Sequence, residues 1–243
     1  MKKRLDQLLV EKRLVQDTKL AKAYIMEGKV RVNGMVINKP GYEVQSTEEI
    51  VIDHCFNKYV SRGGIKLEGA LKAFNIDVKS KIAMDVGSST GGFTDCLLQH
   101  GAKKVFAIDV GYGLLDYKLR QDKRVVVMEG VNFRYFEPLT LSSEIDIATI
   151  DVSFISLKLI LPKVFQCLKS NGCALALIKP QFELERKDVD RGGIVRSQEK
   201  HIRAILKIKT IAEDTGFKVI GHIPSPIKGT KGNQEFFIYL QKP

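Results

Sequence analysis

From Ile82 onward the chain alternates short apolar runs with stretches long enough for a helix, and this pattern restricts the fold more than any other feature. The strand candidates are Ile82–Val86, Lys104–Asp109, Val125–Met128, Ile145–Ile150, Ala174–Ile178, Phe217–Ile223 and Phe236–Leu240. Helices fit between the first six. Apolar strands spaced by helix-length segments predict an α/β, Rossmann-like fold, a mostly parallel sheet with helices on both faces. Only Pro224–Glu235 separates the last two strands, too little for a helical crossover, so the last strand is expected to run antiparallel. No apolar run reaches the roughly 18 residues that span a bilayer, and Met1–Gln7 is basic without the apolar stretch of a secretory signal. The four cysteines, Cys55, Cys96, Cys167 and Cys173, form no Cys-x-x-Cys pair, which argues against a structural zinc site or a disulfide framework. A cytoplasmic protein with reduced thiols, no bound metal and no stable membrane insertion is expected.

Open α/β sheets bind ligands beyond the carboxyl ends of their strands. The first strand ends in Met84-Asp85-Val86-Gly87 and runs on through Ser88, Ser89, Thr90, Gly91, Gly92 and Phe93. Such glycines let the backbone approach a ligand where a helix begins. Dinucleotide-binding proteins share this feature, but the order here is Gly-x-x-x-Gly-Gly rather than Gly-x-Gly-x-x-Gly. Asp85, before the first glycine, can face a cationic or amino group. Asp109, at the end of the second strand, can hold both ribose hydroxyls of an adenosine, and Asn132, after the third, can meet its adenine. Together these positions favour S-adenosylmethionine over a dinucleotide. At the same edge stand Asp151 and Lys179, each following an apolar strand, with Glu235 just before the last strand and Lys66 at the start of an earlier helix. A lysine at the mouth of a site needs a counter-charge, and two carboxylates beside two lysines supply one each.

The first part of the chain reads differently. The net charge is +11, and residues 1–42 carry ten basic and four acidic side chains, residues 58–81 six and two. A polyanion is the natural partner. Leu5, Leu8 and Leu9 follow helical spacing; Asp17 can cap a second helix, Thr18–Glu27, which Gly28 would stop. Val30-Arg31-Val32, Asn33-Gly34 and Met35-Val36-Ile37 predict a hairpin with a type I′ turn, followed by a strand near Glu49–Ile52. Arg4, Arg13, Lys19, Lys22, Lys29 and Arg31 can cluster on one side of such a unit, and Arg62 follows in a short polar connection. The expected division is a module over residues 1–57, a linker over 58–65 leading into a helix Ile65–Phe74, and a second domain over 66–243. The run Leu20-Ala-Lys-Ala-Tyr-Ile-Met-Glu-Gly-Lys-Val-Arg-Val-Asn-Gly34 resembles the S4-type RNA-binding domain.

The whole chain resembles the TlyA family of rRNA ribose methyltransferases, whose catalytic domain is similar to the FtsJ-type 2′-O-methyltransferases. The blocks that carry the likeness are Tyr59-Val-Ser-Arg-Gly-Gly-Ile-Lys66-Leu, Asp85-Val-Gly-Ser-Ser-Thr-Gly-Gly-Phe-Thr, Asp109-Val-Gly-Tyr-Gly, Asp151-Val-Ser-Phe-Ile-Ser-Leu, Lys179-Pro-Gln-Phe-Glu and Gly232-Asn-Gln-Glu235. Tyr59 stands where the family commonly has Trp. The resemblance implies a Lys-Asp-Lys-Glu tetrad of Lys66, Asp151, Lys179 and Glu235, a cofactor loop over Asp85–Gly92, and Phe154 as an apolar wall of the cofactor pocket. It also implies a cytidine ribose in ribosomal RNA as substrate. The module begins close to Met1 and the chain stops just after the last strand, which matches the family's shorter form and favours the large ribosomal subunit. A ribose 2′-hydroxyl must lose its proton as it attacks; Lys179, crowded by Lys66 and partly buried, is expected to accept or relay it. Base methylation is the nearest competitor, but Asp151-Val-Ser-Phe lacks the prolines of the Asp-Pro-Pro-Tyr motif. The haemolysin label that some family members carry implies membrane lysis, for which the sequence offers no spanning run. Glu183–Arg196, charged and with Gly192-Gly193, reads as a mobile loop.

Overall fold

The computed structural model describes residues 2–15, 17–26, 28–52, 58–138, 141, 145–229 and 231–243. The chain forms two compact units, Met1–Asn57 and Lys58–Pro243. In the first, β1 (Lys2–Arg4) leads into α1 (Leu5–Glu11) and α2 (Thr18–Met26), followed by β2 (Val30–Val32), β3 (Met35–Ile37), β4 (Glu43–Gln45) and β5 (Ile50–Ile52). Asp17 caps α2, its Oδ1 accepting from the Leu20 amide at 2.7 Å. Asn33 and Gly34 both have positive φ, 48° and 80°, which gives the β2–β3 turn its handedness. Leu5, Leu8, Leu9, Ile25, Val30 and Val44 close a small core. Two strands go beyond the expected plan: β1 pairs antiparallel with β4, Lys3 opposite Val44. Each has only three residues, too few for an alternation that could be read.

The second unit begins with α3 (Gly63–Ala73), two residues earlier than the expected Ile65, so the connection before it is shorter. The glycines explain the early start: a Cβ on Gly64 would lie 2.2 Å from the Tyr59 ring, so only a glycine lets this turn pack on that ring. Then come β6 (Ile82–Val86), α4 (Gly92–Gln99), β7 (Lys104–Ile108), α5 (Tyr117–Arg120), β8 (Val125–Met128) and β9 (Ile145–Ile150). They are followed by α6 (Leu161–Cys167), β10 (Leu168–Ile178), α7 (Pro180–Glu183), α8 (Gln198–Thr215), β11 (Lys218–Pro224) and β12 (Phe236–Gln241). The sheet order is β11-β12-β10-β9-β6-β7-β8. β12 is antiparallel to both neighbours, and the other strand pairs are parallel. Side chains alternate between two cores: Ala83 and Val105 face Leu67, Leu71, Phe93 and Leu97, while Met84 and Phe106 face Val164, Ala204 and Ile208. Between β8 and β9 the described residues contain only a short 3-10 turn, Phe133–Tyr135, instead of a full helix; residues 139–140 and 142–144 lie outside the description. β10 starts at Leu168, six residues before the expected Ala174. Its register breaks between Leu168 and Cys173 around Asn171 (φ 61°) and Gly172, which is why that stretch reads as a turn.

The strand order reverses between β6 and β9, and the carboxyl end of this switch point is where ligands bind in such sheets.

Candidate active site

The loop after β6 is shaped by its glycines. Gly87 has φ 83°, and a Cβ on it would lie 2.6 Å from the Asp151 carbonyl oxygen, so only glycine fits. The Gly87 and Ser88 amides donate to Ile108 O at 2.8 and 3.1 Å, folding the loop over the end of β7. Asp109 joins the two loops: its Oδ2 accepts from the Ser89 amide and its Oδ1 from the Gly111 amide, both at 2.8 Å. Thr90 O accepts from the Asp116 amide at 3.2 Å. Gly91, at φ 94°, opens α4, and Gly92 follows it closely packed on Ser61 and Gly64. Asn132 caps the turn after β8, accepting from the Arg134 amide at 3.2 Å.

Asp85 does not face an open ligand position, as its place before the glycines suggested. It is wholly buried, and its carboxylate accepts from Thr94 Oγ1 at 2.7 Å and Thr149 Oγ1 at 3.1 Å. Burial pushes its pKa up to about 7, although both hydroxyls favour the charged form. Phe93 is likewise buried, stacked on Phe237 with ring centroids 6.0 Å apart, and serves the core.

Four charged side chains meet in two pairs. Lys66 Nζ, from α3, donates to Glu235 Oε2 at 2.7 Å. Lys179 Nζ, at the end of β10, lies 2.6 Å from Asp151 Oδ1 and donates to Ser153 Oγ at 2.9 Å. Lys179 and Glu235 are buried, and the Asp151 amide donates to Val86 O at 2.9 Å, which ties this loop to the first strand. Residues 59–242 match the FtsJ-like methyltransferase family, and residues 3–50 match the S4 domain. A Mycobacterium tuberculosis protein named 16S/23S rRNA (cytidine-2′-O)-methyltransferase TlyA is 39% identical over 98% of this chain and 89% of its own length. The chain belongs to the TlyA family of FtsJ-like methyltransferases. A Bacillus subtilis relative described as "Putative rRNA methyltransferase YqxC" is 47% identical over all of this chain and 86% of its own. A solved structure, "Putative hemolysin from Streptococcus thermophilus", superposes with a TM-score of 0.79 at 45% identity, covering 99% of this chain and 88% of that one. Among the described residues no helix is long and apolar enough to cross a membrane.

In this TlyA-family chain two further polar residues shape the site. Ser153 Oγ accepts from Lys179 Nζ beside the Asp151 pair, and its place two residues after Asp151 in the same block was the available signal. Glu183, almost fully buried, accepts from the Leu157 amide at 2.9 Å and from Ser156 Oγ at 2.6 Å, and burial raises its pKa. It thereby clasps the loop that carries Asp151 and Phe154. Phe154 is 90% exposed at φ 63°, its ring 5.0 Å from Phe182, so it stands at an open rim rather than within a closed wall. The segment Glu183–Arg196, expected to be mobile, is tied down: Lys200 Nζ donates to Asp188 O at 2.7 Å, Arg203 pairs with Asp188, and the Asp190 amide donates to Ile194 O at 3.0 Å.

Of the basic residues put forward for RNA, Arg13, Lys19 and Lys22 are exposed. Lys29 lies over the Tyr24 ring at 4.8 Å, and Arg31 donates to Gly34 O at 3.2 Å. Arg4 is committed to the buried Asp6, donating to both carboxylate oxygens at 3.1 and 2.8 Å. Arg62 donates to Lys228 O at 3.1 Å.

Proposed function

We propose that the chain methylates the 2′-oxygen of a cytidine ribose in ribosomal RNA, with S-adenosylmethionine as donor and the large subunit as substrate. The carrying observation is the meeting of Lys179 with Asp151 and of Lys66 with Glu235 at the carboxyl edge of the sheet, beside the Gly-rich loop. The fit is one of shape and donor type. Gly87 lets the loop pack directly on the Asp151 carbonyl, where any side chain would clash, and Asp109, though holding two amides, keeps lone pairs for ribose hydroxyls. Gly87–Gly92 would hold the cofactor's polar end, Asp109 its ribose, Asn132 its adenine, and Phe154 would flank it. Bound there, the cofactor supplies an electrophilic methyl group.

The chain's own residues handle the hydroxyl. Lys179 Nζ donates to Ser153 Oγ and lies 2.6 Å from Asp151 Oδ1; once it has released a proton to solvent, the neutral amine has a lone pair for the 2′-hydroxyl proton. Lys179 accepts or relays the hydroxyl proton as the new bond forms, and Asp151 keeps it in place. Lys66, fixed by Glu235, helps hold the oxygen in line, and fixed geometry contributes the rest of the acceleration. The N-terminal S4 unit presents Arg13, Lys19 and Lys22 to the RNA, with its Lys29 and Arg31 as further contacts and Arg62 adding one from the second unit. The names of the relatives support RNA as the acceptor, and 23S rRNA is one of the two species the M. tuberculosis name gives. A protein that modifies ribosomal RNA would act in the cytoplasm.

The test is transfer of labelled methyl to intact large subunits, small subunits and naked rRNA, with the modified atom mapped. Lys179→Ala is expected to abolish transfer and to leave cofactor affinity within about threefold, since the lysine sits beside the acceptor and not in the Gly loop. Wild-type turnover by that variant would sink the assignment.

A further inference from the structure

Outside the tetrad, one buried amide joins two loops of the second unit. Asn233 is 2% exposed. Its Nδ2 donates to Gly193 O at 2.8 Å, and its Oδ1 accepts from the Val195 amide at 2.8 Å. Its own carbonyl accepts from the Gly229 amide at 2.9 Å, and the Gly232 amide donates to Gly229 O at 2.8 Å. His201 Nε2 lies 2.9 Å from Val195 O and secures the far side. Gly192 and Gly232 have φ of 92° and 86°, and a Cβ on either would meet nothing, so these glycines serve the sharp turns alone. The described residues of the loops 190–196, 228–229 and 231–235 therefore form a single frame, and Glu235 of the tetrad belongs to it.

Three cations project from this frame. Arg191, Lys228 and Lys231 are exposed and have no side-chain partner among the described residues. Lys231 Nζ lies 4.0 Å from where a Cβ on Gly193 would stand, which brings it over the neighbouring loop. Arg62 grips Lys228 O, so the frame is fastened to the start of the helix that carries Lys66. Exposed cations carried on one hydrogen-bonded frame suit a polyanion. Arg196 differs, being paired with Asp190 at 3.4 Å.

We propose that these latched loops form a basic collar that grips the RNA backbone beside the target ribose through Arg191, Lys228 and Lys231, with Asn233 as its positioning residue. The inference rests on the proposed RNA substrate and adds a contact surface on the methyltransferase unit itself. Phosphate contacts made so near Glu235 would fix the strand's register at the tetrad, since such contacts position without reading sequence.

The experiment measures binding of full-length protein to large-subunit rRNA across a salt series, with methyl-transfer kinetics alongside. Replacing Arg191, Lys228 and Lys231 together with Ala should flatten the log–log salt slope by about 2, at roughly 0.7 per phosphate contact on single strands. The KM for RNA should rise more than tenfold while kcat falls far less, and cofactor affinity serves as the control for folding. Asn233→Ala keeps every cation but frees the loops. It should raise the RNA KM in the same direction and open Arg191 and Arg196 to trypsin. An unchanged slope and KM in the triple variant would overturn the collar whatever the enzyme's activity. If the wild type binds rRNA with a slope that the triple variant lowers, yet transfers no methyl, the proposed function fails and the collar stands.

Discussion

Asp85 offers a thermodynamic handle on the centre of the methyltransferase unit. In the unfolded chain its pKa is near the model-peptide value of 3.8; in the fold burial raises it to about 7. The difference is about 3 pKa units, and at 1.36 kcal/mol per unit the ionised carboxylate costs about 4 kcal/mol relative to the protonated one. Because the folded pKa is the higher, the stabilisation is fully present below pH 3.8 and is lost as pH rises through 7. Between pH 5 and 6.5 the folded state holds a proton that the unfolded state has released, so stability should fall by roughly 2 kcal/mol from this group alone. Asp85→Asn removes the titration and keeps an amide able to meet both threonine hydroxyls. Urea unfolding of both proteins from pH 4.5 to 8.5 measures the effect, with the m-value as the check on comparability. The variant should gain on the wild type steadily from pH 5 to 7, and the gain should level off above pH 8. A wild-type-minus-variant difference that stays flat across that range would refute the reasoning, because it would mean the buried carboxylate is charged throughout.

Two further substitutions probe the walls of the site. Gly91→Ala combines a φ of 94° with a Cβ 2.2 Å from Leu119 Cδ1, and should cost roughly 2–4 kcal/mol of stability, seen as a lower urea midpoint together with weakened cofactor binding in calorimetry. Glu183→Ala strands the Leu157 amide and the Ser156 hydroxyl and should cost about 2–4 kcal/mol and most of the methyl transfer. Glu183→Gln, which can accept from the amide and donate to the hydroxyl, should recover most of both, and a failure of that recovery would argue for a role of the charge itself.

Much of the fold is legible along the chain because short-range rules carry it. Six of the seven strands in the large sheet lie within a few residues of where apolar runs place them; the central ones are buried on both faces and so are mostly apolar, while the edge strand β11 alternates exposed and half-buried residues. β10 is the seventh, and its early start passes through Asn171 and Gly172, residues that locally favour a turn. The antiparallel β12 follows from the brevity of the segment before it, and the β2–β3 turn from the positive φ that Asn33 and Gly34 tolerate. β1 and β4 are not legible, because three-residue strands exist only through each other. The site divides in the same way. Its residues stand at strand ends, which is a local property, but Phe154 at the rim and Ser153 beside Lys179 depend on how the loop after β9 turns.

The sequence by itself determined the strand and helix periods, the glycine-rich turn after the first strand, and a charge surplus directed at a polyanion. Each of these is a property of a few neighbouring residues. Only the tertiary structure decided that Lys66 meets Glu235 across 169 positions of chain, that Asp85 turns inward to two threonines, and that Asn233 binds two distant loops into one frame. The physical reason is burial. A charge or an amide taken out of water must find its partner inside the fold, and the strand order, which no local pattern encodes, settles which partner comes within reach.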